Sequence, residues 1–101
     1  ELISDKKLVF NIVEDVEKQQ LVDKSNELAI DNNIVCFVNK SDDKAMILLN
    51  ISKDLNINAP ELLNQVLVKF NGKGGGRDSF AMGSCQVDEP HKIIDELKFQ
   101  L

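Results

Sequence analysis

The sequence predicts an α/β domain: a two-layer sandwich in which about three helices cover a mixed β-sheet. Two continuously apolar runs, residues 34–38 and 45–51, are separated by a polar segment and read as adjacent buried strands. Three amphipathic stretches with helical spacing alternate with the β-rich runs, the alternation expected when helices cover a sheet. The chain has 101 residues, enough for one hydrophobic core but not for two, so residues 1–101 are expected to form a single domain.

Residues 8–13 (Leu-Val-Phe-Asn-Ile-Val) are β-rich and only partly alternating, which predicts a strand with one face well buried. Asp15 is placed to cap a helix whose inward positions Leu21, Val22, Ser25, Leu28 and Ala29 share one face. The turn-favouring cluster Asp31-Asn32-Asn33 should end it. The two apolar runs, joined by the polar loop 39–44, predict an antiparallel hairpin near the sheet centre. Residues 52–58, which include Lys53, form a polar connection. Pro60 suits the first turn of a helix over residues 59–70, with Leu62, Leu63, Val66, Leu67 and Phe70 on one side and Gly72 as its C-terminal stop. Residues 79–84 form a short strand with Phe80 and Met82 toward the core. Asp88 then caps a last helix that has Pro90 in its first turn and Ile93, Ile94, Leu97 and Leu101 facing inward. The first six elements follow the order of the split β-α-β pattern. Only the first few residues look loose.

Residues 71–78 (Asn-Gly-Lys-Gly-Gly-Gly-Arg-Asp) set four glycines beside two cations. Each glycine costs roughly 1 kcal/mol relative to alanine in a regular element, so the stretch needs a reason. As a loop, it would offer several amide N–H groups beside Lys73 and Arg77, a combination suited to phosphate oxygens. A flexible surface hairpin is the structural alternative. Lys69 and Lys73 also flank a helix C-terminus, where positive charge is favourable in any case.

Most enzymatic chemistries find no support. His91 is the single histidine and sits in the first turn of the last helix, where a solvated surface histidine is the default. Ser79, Ser84 and Cys85 have no base partner in sequence, and the GxSxG elbow is missing. Asp42-Asp43 is the best metal pair, but a loop-tip doublet is ordinarily just a loop tip, so no metal or cofactor is expected. The glycine stretch follows a helix, whereas Walker and dinucleotide loops follow a strand. Cys36 and Cys85 match no zinc or redox spacing and are expected to be reduced thiols in a cytoplasmic protein. A hydrophobic fraction of 43% argues against disorder, and no apolar run approaches the ~18 residues that span a bilayer. The chain shows no signal-peptide pattern and begins without methionine, so it is expected to be a piece of a larger protein. A net charge of −5 weighs against non-specific coating of nucleic acid, so any such contact is expected to be local.

Residues 72–83 supply a family resemblance. Gly72-Lys73-Gly74-Gly75-Gly76-Arg77, followed by Ala81 and Gly83, looks like the GKGGGR-x-x-x-A-x-G signature of the extreme C-terminal domain of alanyl-tRNA synthetases. Upstream, Asn50-Ile51-Ser52-Lys53-Asp54-Leu55 followed by Ala59 is similar to the same domain. The resemblance covers the whole chain in element order and is specific in sequence from residue 47 to residue 83. A related domain of DHH phosphoesterases carries GGGH followed by x-x-A-A-G. Arg77 in place of histidine, and Gly83 one residue later, favour the synthetase form. Asp78 and Ser79 stand where Pro-Asp is frequent, Met82 where Gln is frequent, and Ser84-Cys85 where further glycines are frequent.

The resemblance implies a non-catalytic appended domain that contacts the tRNA elbow, probed through Lys73, the Gly74, Gly75 and Gly76 backbone, and Arg77, with Lys69 and Lys53 at the margin. It also implies tRNA and the other synthetase domains as partners, with positioning for aminoacylation and editing as the role. The departures bear on tRNA affinity. The competing expectation is a protein-interaction or homodimerisation module that keeps the fold without RNA affinity.

Overall fold

Seven residues among those described adopt left-handed backbone, and every one is Asp or Asn: Asp15, Asp31, Asn32, Asp42, Asn56, Asn71 and Asp78. Their short polar side chains tolerate this region. They mark the joints of the fold in the computed structural model, which describes residues 2–3 and 6–101. The strands are β1 (Leu2–Ile3), β2 (Lys6–Glu14), β3 (Asn33–Ser41), β4 (Lys44–Ile51), β5 (Lys73–Arg77) and β6 (Phe80–Gln86). The helices are α1 (Lys18–Leu28), α2 (Ala59–Leu67) and α3 (His91–Gln100), with short 3-10 turns at Lys53–Leu55 and Val68–Phe70. Residues 1, 4 and 5, part of the stretch expected to be loose, lie outside the described residues.

The sheet order is β1-β2-β3-β4-β6-β5, with β2 and β3 parallel and every other pair antiparallel. It is the mixed sheet with three helices that the sequence predicts, and β3 and β4 are its centre. The helices are divided between its faces. Ile34, Cys36 and Val38 pack with α2 and α3, whereas Val35 and Phe37 pack with Leu21 of α1, so the sheet is a middle layer. Residues 34–38 are all buried because this strand is covered on both faces. The β-α-β unit is not split: β2 and β3 are direct neighbours, in register from Lys7↔Asn33 to Glu14↔Lys40.

Several boundaries differ from the expectations for local reasons. Asp15 does not cap α1. The chain turns left-handed there, and Asn39 of β3 binds both backbone groups of Val16, accepting from its N–H at 3.2 Å and donating to its carbonyl at 2.6 Å. The helix starts after Glu17. On β4, Asn50 reaches α1 by donating to Ser25 Oγ and Asn26 Oδ1. The β3–β4 loop shrinks to a tight turn at Asp42-Asp43, since Lys40 and Ser41 continue the ladder. Before α2, Asn58 accepts from Glu61 N–H, with Pro60 in the first turn. At the other end, Asn71 is the left-handed residue rather than Gly72, and the Gly72 N–H closes the end on the Leu67 carbonyl at 2.9 Å. Asp88 does not cap α3, which starts after Pro90 without a side-chain cap.

Candidate nucleic-acid interface

The glycine stretch is a strand, not a loop. Lys73–Arg77 form β5 at the edge of the sheet, paired with β6 from Lys73↔Ser84 to Arg77↔Phe80. None of its glycines has positive φ. Gly74 faces α2, where a Cβ would lie 2.8 Å from Leu63 Cδ2, whereas a Cβ on Gly76 would run into Phe80 and Ala81 of β6. Opposite Gly74, a Cβ on Gly83 would lie 2.6 Å from Leu67 Cδ1. Gly74 and Gly83 let helix and sheet approach closely, and the stretch is an extended strand paired with β6 rather than a turn of converging amides. Off the ladder, the Gly74 N–H donates to Asn64 Oδ1 of α2 at 3.1 Å.

The other face of the same strand carries Lys73, Gly75 and Arg77, directly across from Ser84, Met82 and Phe80 of β6. Behind these lie Met46, Leu48 and Asn50 of β4, and Lys44 lies across from Gln86. On this face α1 packs over the β3–β4 half. Phe80 and Met82 are half-buried at the margin of that cluster, not in the central core. Beyond them Lys73, Gly75 and Arg77 are exposed. Across β4, β6 and β5 this face presents Lys44, Lys73 and Arg77 and no carboxylate. In a chain of net charge −5 that is a local positive surface.

Lys73 and Arg77 stand at opposite ends of β5, about 13 Å apart at the rise of a strand. Lys44 joins Lys73 along an open cleft with Phe70, Asn71 and Ser84. Lys53 sits at the other end, lining a cleft with Asp78 and Ser79 at the β5–β6 turn. That turn is stitched down: the Asp78 carbonyl accepts from Ala59 N–H and the Ser79 carbonyl from Ile51 N–H, both at 2.8 Å. Lys69 lies in the 3-10 turn after α2 and not on β5. None of these cations forms an ion pair among the described residues, where the pairs are Lys24–Glu27, His91–Glu89 and Lys92–Glu89. Sequence reasoning missed Lys44, whose place depends on the Lys44↔Gln86 register. It also missed Asn64, which looks like any exposed helix residue.

Both cysteines are free thiols, and burial pushes Cys36 up to about 12 and raises Cys85, which disfavours the thiolate, the nucleophilic form. His91 is exposed at the start of α3 beside Glu89. Among the described residues no three metal-ligating side chains cluster, and no helix is long and apolar enough to cross a membrane.

Comparison with known proteins agrees with this architecture. The crystal structure of the C-Ala domain from Aquifex aeolicus alanyl-tRNA synthetase superposes with a TM-score of 0.91 at 25% identity, over 100% of this chain and 96% of that one. An alanine–tRNA ligase of Mycoplasmoides gallisepticum is 35% identical over 68 residues, which are 66% of this chain and 7% of that protein's length. The DHHA1 domain family matches residues 5–100. With nearly the whole chain matched and the sheet, helices and glycine strand in place, this protein belongs to the DHHA1 domain family and is similar to the C-Ala domain of alanyl-tRNA synthetase.

Proposed function

We propose that this chain is a non-catalytic tRNA-binding domain appended to a cytoplasmic alanyl-tRNA synthetase. In this reading it contacts the tRNA elbow and positions the tRNA for aminoacylation and editing, with tRNA and the other synthetase domains as its partners. The observation that carries the reading is the carboxylate-free sheet face bearing Lys44, Lys73 and Arg77 on an otherwise acidic molecule. Three unpaired cations on a fixed sheet suit phosphates of a folded RNA, which is recognised by shape, backbone contact and exposed bases. Arg77 can also stack its guanidinium plane. The backbone of Gly74, Gly75 and Gly76 serves here as the floor of the surface, with Lys53 at one end. Lys69 is the weakest member, because it lies after α2 rather than on the strand.

The test is binding of tRNA-Ala transcript by the 101-residue chain across a salt series. Lys73→Ala and Arg77→Ala should each weaken binding and reduce the log–log salt slope by about 0.7–0.9, one phosphate contact apiece. Absence of tRNA binding by the wild-type chain at low salt would refute the reading. A second reading, a protein-interaction or dimerisation module that keeps the fold without RNA affinity, is motivated by the net charge of −5 and by Met82 in place of a polar residue after the glycine stretch. Sedimentation with and without tRNA separates the two: a stable dimer indifferent to tRNA supports the second.

A further inference from the structure

Gly75 differs from the other four glycines. A Cβ built on Gly72, Gly74, Gly76 or Gly83 would collide with neighbouring backbone or with Leu63 or Leu67, whereas one on Gly75 would meet nothing within 4 Å. Its backbone is not left-handed either. Neither packing nor conformation therefore requires glycine at this position, although glycine weakens a strand relative to residues with a side chain.

The missing side chain opens a flat gap on the sheet face. Gly75 lies midway between Lys73 and Arg77 and directly across from Met82, which is followed on the same face by Phe80. Any side chain at 75 would stand up between the two cations and cover Met82. Without one, the floor is the peptide backbone of Gly75 with the half-buried side chains of Met82 and Phe80 beside it, surfaces on which an aromatic base packs well. The cations at both ends supply charge for a phosphate on either side of such a base. Neighbouring positions on the face bring no carboxylate that would repel it.

We propose that Gly75 is a nucleobase window: an unpaired base of the bound RNA stacks flat over Gly75 and Met82, against Phe80, while Lys73 and Arg77 hold the flanking phosphates. The inference rests on the RNA-binding reading and narrows it. The ligand class is RNA with an unstacked base, in a loop or single strand, and not a continuous duplex, whose bases are hidden from a sheet face.

The decisive variant is Gly75→Val, in which a strand-favouring side chain enters open space. It should keep or raise the melting temperature. Its affinity for tRNA-Ala transcript should fall about tenfold, the loss expected for one stacked base, with the salt slope unchanged. The wild type should also bind an eight-nucleotide single-stranded RNA more tightly than a blunt duplex of the same sequence, and Gly75→Val should lose that preference. Wild-type affinity in Gly75→Val overturns the inference while leaving the RNA-binding reading intact. So does equal binding of strand and duplex by the wild type, or a loss of affinity that comes with a shallower salt slope. If the wild-type chain binds none of the three RNAs, the functional reading fails first and the inference falls with it.

Discussion

Gly74 and Gly83 face each other across the β5–β6 ladder beneath α2, with room for hydrogen atoms and nothing larger. Gly83→Ala places a methyl against Leu67 and the Lys73 carbonyl and is expected to cost about 1–3 kcal/mol, read as a lowered melting temperature. Gly75→Ala, three residues from Gly72 in the same glycine stretch, should stay within about 0.5 kcal/mol of wild type. Composition treats these positions as equivalent, and only packing separates them. Cys36 gives a second residue-scale expectation. Burial raises its thiol from an ordinary value of 9.0 to about 12, so above pH 9 the unfolded chain loses a proton that the folded chain keeps. The unfolded state then binds fewer protons, and stability contributed by Cys36 falls as pH rises from 9 toward 12. Denaturant midpoints of wild type and Cys36→Ala should converge over that window.

At the scale of elements, caps and tethers carry the local decisions. Asn58→Ala removes the acceptor for Glu61 N–H at the start of α2 and should cost about 1 kcal/mol by urea unfolding. Much of this level could be read in the sequence. The apolar runs gave β3 and β4 because strands buried on both faces need no alternation, and Pro60 with its following apolar face gave α2. The glycine strand could not be read in that way. Five residues with three glycines have low strand propensity, and β5 exists because β6 and the close approach of α2 select it, a tertiary effect. The start of α1 was hidden similarly: Asp15 is a good cap by type, but Asn39, twenty-three residues beyond Val16, fixes the chain first. Of the candidate site, Lys73 and Arg77 were legible from the motif. Their shared face, and Lys44 beside it, required the strand register.

The molecule is acidic with an open positive sheet face among the described residues, and on the proposed RNA-binding reading this sets the expected response to ions. With three phosphate contacts from Lys44, Lys73 and Arg77, the log–log salt slope should lie between about −2 and −3, far shallower than for a basic protein that coats nucleic acid. A filter-binding series from low to moderate salt measures it, and Lys44→Ala should remove close to one unit. The same end of the sheet poses a different problem, since among the described residues β5 is the last strand and no further strand pairs with its outer edge. Asn64 occupies the Gly74 N–H there. An unoccupied edge this short of side chains is a template on which another chain can add as a further strand. Asn64 of α2 covers one donor of that edge, so Asn64→Leu, read by light scattering on prolonged incubation, should self-associate more than the wild type.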